Sequence, residues 1–188
     1  MPEKRLFIGI SVPVENFTSL LQALKGLRKT ADQREISVKW SPLKNYHITL
    51  SFLGATDEEK IPQILQKLRE VAGLHHPIAL ELKGLGGFPD DHHARVLWAG
   101  VQNSRPLREL QHDIEKAMGE IGFAGEEREY SPHLTLGRIR KGRSVKDMIS
   151  PFVRKRFGKV ELSSLVLFES RQFGQHSVYD PLVSVELP

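Results

Sequence analysis

The sequence has no cysteine among its 188 residues, so it holds no disulfide, no thiol nucleophile and no cysteinyl zinc or iron–sulfur site. Histidine, aspartate and glutamate are left as the side chains able to hold a metal. Long hydrophobic runs are missing too. The apolar stretch in MPEKRLFIGISVPVENF spans about eight residues before Pro13, too few for a bilayer span or a signal-peptide core. Its apolar positions alternate with Arg5, Gly9 and Ser11 as in a strand, so a cytoplasmic protein with no membrane partner is expected. Neither sign of charge dominates: Lys+Arg 27 against Asp+Glu 23 leaves +4, a mild bias toward anionic partners such as phosphate or nucleic acid. With 39% hydrophobic and 27% charged residues, the composition suits one globular domain or two closely packed lobes and excludes disordered and collagenous chains.

Gly, Pro and hydrophobic periodicity punctuate the chain. They predict a strand over 5–12, a helix over 14–29, an extended VKWSP stretch and a strand through HITLSFL ended by Gly54. Thr56 reads as the N-cap of a helix over 57–72, with Ile61, Ile64, Leu65, Leu68 and Val71 at helical spacing. A strand through IALELKGL follows, and GLGGFPDDHH reads as a loop. The order then returns: strand RVLWAGV, a helix over 105–121 with Leu107, Leu110, Ile114 and Met118 on one face, and strand HLTLGRI. A short helix near 145–153 and one strand through VELSSLVLFE close the chain.

RLFIGI answers RVLWAGV, Trp40-Ser-Pro answers Tyr130-Ser-Pro, and HITL answers HLTL. Such self-similarity predicts an internal duplication: a single domain over 1–188 made of related halves, roughly 1–89 and 90–188, meeting about an approximate two-fold axis. Several strands carry a polar face, which favours antiparallel sheets. The expected fold is α+β, with two mostly antiparallel sheets lining a central groove and helices outside. A monomer is expected.

Two of the chain's five threonines lie two residues after a histidine and just before a leucine, at His47-Ile48-Thr49-Leu50 and His133-Leu134-Thr135-Leu136. In a strand the histidine and threonine of each motif share one face about 6.5 Å apart, and Ile48, Leu50 and Phe52, or Leu134 and Leu136, share the other. Brought together across a groove, two imidazoles and two hydroxyls suit phosphoryl transfer. Displacement at phosphorus wants a base on one side and an acid on the other, and histidine, titrating near pH ~6.5, supplies either. The hydroxyls would donate to the non-bridging oxygens. No metal or cofactor is called for, and a strained ribose cyclic phosphate is the diester that suits this chemistry best.

On RLFIGISVP, WSPLKNYHITLSFLG, RVLWAGV and SPHLTLGRI, the sequence resembles the two-histidine (2H) phosphoesterases over nearly its whole length, and among them the RNA 2′,3′-cyclic phosphodiesterases, also called 2′-5′ RNA ligases. The resemblance implies hydrolysis of a 2′,3′-cyclic phosphate at an RNA end, or on a small cyclic nucleotide, to a 2′-phosphomonoester. It assigns His47 as proton donor to the leaving 3′ oxygen, His133 as proton acceptor from water, and Thr49 and Thr135 as their companions. Ligation would be the related chemistry with a ribose 5′-hydroxyl in place of water. A different cyclic nucleotide substrate, or a nucleotide- or RNA-end-binding module without turnover, are the alternatives.

Arg138 matches an arginine that the family uses near substrate. Strict alternation from His133 places it behind the sheet unless Gly137 makes a bulge. Phe7 shares a strand face with Arg5, Gly9 and Ser11 and is a base-stacking platform if open, packing if covered. Trp40, Trp98, Tyr130 and Phe168 read as packing. His75-His76 and His92-His93 lack a third ligand in register. The basic runs Arg138, Arg140, Lys141, Arg143 and Arg154, Lys155, Arg156 are either solvated faces or guides for an RNA strand.

Overall fold

The first strand is buried on both faces, and its alternate residues go to different clusters. Over β1 (Glu3–Ser11), Leu6, Ile8 and Ile10 enter the main core, while Phe7 packs on the opposite face. The computed structural model describes residues 2–102, 105–173 and 176–188. After β1 come α1 (Thr18–Gln33), β2 (Val38–Trp40), β3 (His47–Asp57), α2 (Ile61–Ala72), β4 (Ile78–Phe88) and β5 (Ala94–Gln102). Then follow α3 (Arg105–Glu120), β6 (His133–Arg143), α4 (Lys146–Ile149), β7 (Arg156–Leu162), β8 (Ser164–Phe173) and β9 (His176–Glu186). Among the described residues no helix is long and apolar enough to cross a membrane.

The fold is α+β, with helices packed on one curled antiparallel sheet whose strands fall into two lobes. Every strand pairing is antiparallel, in the order β7-β4-β5-β6-β3-β1-β8-β9, with β2 added on β6. The two expected sheets are therefore joined into one. The joint is narrow: β3 and β6 pair through Ile48 and Leu134, the second residues of the two histidine motifs, both fully buried. A single-pair joint lets the sheet fold about that line, so the polar faces of the two lobes look toward each other.

Each lobe draws on both parts of the chain. β4 pairs with β5 and β7, and β8 pairs with β1 and β9. Helix α1 packs toward β7 and α4, whereas α3 packs on β3 and α2. Leu20, Leu24 and Leu27 of α1, Ile64, Leu68 and Val71 of α2, and Leu107, Leu110 and Ile114 of α3 are buried at helical spacing, and all join one core.

Four local expectations need correction. Strand β3 does not stop at Gly54 but passes through it at φ 70 and continues to Asp57. Thr56 does not cap α2; it is buried within β3, its hydroxyl donating to the Gly54 carbonyl at 3.1 Å, and the helix starts at Ile61. The GLGG segment is strand, not loop, because a Cβ on Gly86 would collide with the Trp98 ring: glycine there makes room for indole. Finally, VELSSLVLFE is two strands broken at Ser163, and a further strand, β9, pairs along the whole of β8.

Candidate active site

Each histidine motif begins a long strand beside the joint, so His47 and Thr49 of β3 and His133 and Thr135 of β6 line one cavity of about 520 Å³. Ile48, Leu50, Leu134 and Leu136 point the other way into the core. Close packing behind the first motif depends on Gly9, where a Cβ would approach the Ile48 carbonyl oxygen to 2.8 Å.

The alternation breaks at the same place in both motifs. Opposite β1, Thr49 pairs with Gly9 but Ser51 with Ile8, so Leu50 is extra; opposite β5, Thr135 pairs with Trp98 but Gly137 with Leu97, so Leu136 is extra. A bulge of one residue moves everything after it to the other face. Arg138 is thereby turned into the groove and lines the cavity. By the same shift Phe52 leaves the core face expected for it and stands 64% exposed on the cavity wall. Phe52 and Arg138 hold equivalent positions, five residues after their histidines.

Phe7 lines the cavity too but is only 3% exposed. Its ring stacks on Phe168 at 4.9 Å and 14° and lies 4.8 Å from the His47 ring. Tyr179 closes the cage edge-on to His47 at 5.0 Å. Phe88 meets the His133 ring edge-on at 4.9 Å. These aromatic walls fix the two imidazoles laterally.

The backbone fixes their tautomers. His47 Nδ1 donates to the Asn45 carbonyl at 2.6 Å and His133 Nδ1 to the Ser131 carbonyl at 2.7 Å. A carbonyl oxygen only accepts, so Nδ1 carries hydrogen in both rings and Nε2 is the nitrogen left to exchange protons. Asn45 is anchored through its Nδ2 to the Ser177 carbonyl at 3.1 Å, and the Tyr130 hydroxyl donates to the Thr49 carbonyl at 3.0 Å, pinning the first motif from the second half of the chain.

Burial pushes the His47 pKa below its usual value; the Asn45 carbonyl opposes this, and the positive charges of His133 and Arg138 add to it. Burial also lowers the His133 pKa, opposed by the Ser131 carbonyl and reinforced by Arg138. Both limbs of the free-enzyme pH profile of kcat/KM should therefore lie below the ordinary histidine value of ~6.5. Arg138→Gln removes a cation that disfavours both imidazolium forms, so the profile should move toward higher pH. A profile unmoved by that change would contradict the arrangement, its limbs being properties of the coupled pair. The same sign applies to folding: the unfolded chain takes up protons first on acidification, so the contribution of these groups to stability is complete above pH ~6.5 and declines below it.

The remaining histidine pairs lie apart. His75 Nε2 contacts Asp113 at 2.9 Å, and His76 Nδ1 donates to the Pro188 carbonyl at 3.0 Å. His93 stands 4.0 Å from Asp90. Among the described residues no three His, Asp or Glu side chains converge as metal ligands would.

Sequence reasoning did not reach Phe52, Phe88, Asn45 or Tyr179. The signal for Phe52 was present in the alignment of HITLSF with HLTLGR, where it answers Arg138. Tyr179 had none, because its strand was not foreseen.

The sequence profile of the 2′-5′ RNA ligase superfamily matches residues 12–172. The chain is 33% identical over 180 residues to the RNA 2′,3′-cyclic phosphodiesterase of Methanocaldococcus jannaschii, covering 94% of this chain and 96% of that protein. It is 30% identical over 182 residues to the Archaeoglobus fulgidus protein of the same name, covering 95% and 97%. Among solved structures, TT0787 of Thermus thermophilus superposes with a TM-score of 0.81 at 26% identity over 97% of both chains. E. coli LigT complexed with 3′-AMP superposes with a TM-score of 0.73 at 21% identity over 99% of both chains, a likeness of fold.

Proposed function

This chain belongs to the 2′-5′ RNA ligase superfamily, the two-histidine phosphoesterases, and on that footing we propose that it hydrolyses RNA 2′,3′-cyclic phosphate ends to 2′-phosphomonoesters without a metal. The observation that carries the reading is the convergence of two tautomer-locked imidazoles and two threonines on one cavity. His47 gives its Nε2 proton to the 3′ oxygen as the P–O3′ bond breaks. His133 Nε2 takes a proton from the water whose oxygen bonds to phosphorus from the opposite side. Thr49 and Thr135 donate to the non-bridging oxygens, and Arg138 places a fixed positive charge beside them.

The free site disfavours imidazolium, so the substrate supplies part of the acid form. An anionic cyclic phosphate entering the cavity stabilises a protonated His47 and raises its pKa. Phe52, with its exposed face on the rim, is the base-stacking surface in place of the covered Phe7. Replacing water by a ribose 5′-hydroxyl turns the same steps into 2′-5′ ligation. This reading takes 1–188 as one catalytic domain whose halves, about 1–89 and 90–188, are copies that exchanged strands.

A short RNA ending in a 2′,3′-cyclic phosphate should be converted in excess EDTA to the 2′-monoester. A 3′-monoester would reverse the leaving oxygen and with it the acid assignment. Tight binding with no product after long incubation would make the protein an RNA-end-binding module.

A further inference from the structure

We propose that a basic groove leaving the catalytic cavity at Arg138 holds the sugar–phosphate backbone of the RNA on the 5′ side of its cyclic end, making an oligonucleotide rather than a mononucleotide the preferred substrate. This rests on the catalytic reading above. Strands β2, β5 and β6 surround a cavity of about 620 Å³ lined by Lys39, Arg95, Arg138 and Arg140 with Ser37, and floored by Val96 and Ile139. Among the described residues no carboxylate lines it. A small neighbouring cavity shares Lys39 and Arg138 with it, and Asn45, Arg138 and Tyr179 with the catalytic cavity, so the three adjoin one another around Arg138.

The charge arrangement is unfavourable unless an anion is present. Lys39 and Arg138 are direct cross-strand partners, a placement in which like charges repel. Arg140 lies two residues further along β6, about 6.6 Å away on the same face. Some cations elsewhere have carboxylate partners: Lys67 pairs with Glu70 and Glu120, Arg34 with Asp147, Arg105 with Glu109 and Arg171 with Asp180. Among the described residues Lys39, Arg95, Arg138 and Arg140 have no carboxylate within ion-pair distance.

The direction of the strand follows from the other exit. Beyond His133 and Phe52 the cavity wall carries Glu115, Glu126 and Glu129 beside Arg95 and Arg128, a poor bed for successive phosphates. The run Arg154, Lys155, Arg156 is not needed, since Arg156 pairs with Glu81 and Lys155 lies over the Phe152 ring. Among the described residues no aromatic ring lines the larger cavity, so that part of the groove tracks backbone charge and is indifferent to base sequence.

The test is a Lys39→Gln/Arg95→Gln/Arg140→Gln variant that keeps Arg138. With a nucleoside 2′,3′-cyclic phosphate, kcat/KM should stay within about twofold of wild type. With a short single-stranded RNA bearing the same end it should fall by on the order of tenfold or more, through KM. The slope of log kcat/KM against log salt for that RNA should flatten by about 2, at ~0.7 for each phosphate left without its cation. Equal losses on both substrates, or no loss on the RNA, would overturn the groove. Fluorescence anisotropy of a labelled RNA ending in a 2′-phosphate reads the groove independently of turnover: the variant should bind more weakly with a flatter salt slope, and unchanged binding would overturn the proposal. Wild type that binds this RNA in a salt-dependent way yet turns over neither substrate would refute the catalytic reading and leave the groove standing.

Discussion

Replacing either His47 or His133 by alanine should lower kcat on a nucleoside 2′,3′-cyclic phosphate by about 10²- to 10⁴-fold, the usual contribution of a positioned general acid or base. The two losses should not look alike when the leaving group changes. If His47 protonates the leaving 3′ oxygen, a diester that expels a nitrophenolate needs no such proton, and His47→Ala should recover most of its rate on it. His133→Ala should not, because the attacking water still lacks its base. The opposite pattern would exchange the roles, and a near-normal rate in either variant would remove the acid–base pair altogether.

Folding has to be read alongside, because the two rings differ in their surroundings. His47 is enclosed by Phe7, Phe168 and Tyr179, so truncation leaves a gap among aromatic rings; His47→Asn keeps more of the volume and is the companion variant. His133 has Phe88 on one edge and should tolerate alanine with little loss of thermal stability.

The elements around the motifs could be read in advance because their signals are local. Period-two burial marks the first residues of β3 and β6, a short apolar run marks β1, and period 3.6 marks α1, α2 and α3. What failed is what depends on a partner strand. A bulge is a mismatch in count between two strands, so the sequence of β6 alone left Arg138 undecided, and that of β3 sent Phe52 to the wrong face. Gly86 looked like a chain breaker until the Trp98 ring lay against it. The pairing of β8 with β1, which brings Phe168 and later Tyr179 to His47, joins segments about 160 residues apart and has no local trace. The four motif residues were legible because they occur twice; Arg138 and Phe7 could be named but not placed, Phe52 showed only as the counterpart of Arg138, and Phe88 and Tyr179 left no local sign of their part in the site.

Thr49→Val and Thr135→Val should each lower kcat by about 10²- to 10³-fold, the scale for losing one donor to an oxyanion, with much smaller changes in KM. Valine keeps the β-branched shape and the stiff χ1 of threonine while deleting the hydroxyl, so packing is retained and the donor alone is lost. Serine restores the donor without the methyl and should recover most of the rate, less completely at Thr49. There the Tyr130 hydroxyl on the Thr49 carbonyl and the close approach of Gly9 from β1 hold the strand in place, and a looser side chain forfeits part of that alignment. The split between kcat and KM decides the role. Charge on the non-bridging oxygens builds as the P–O3′ bond lengthens, so a donor aimed at the transition state shows its loss in kcat and in kcat/KM together. A Thr→Val effect confined to KM would mean that the hydroxyls hold the bound diester equally throughout the reaction, leaving charge stabilisation to Arg138 and the imidazolium.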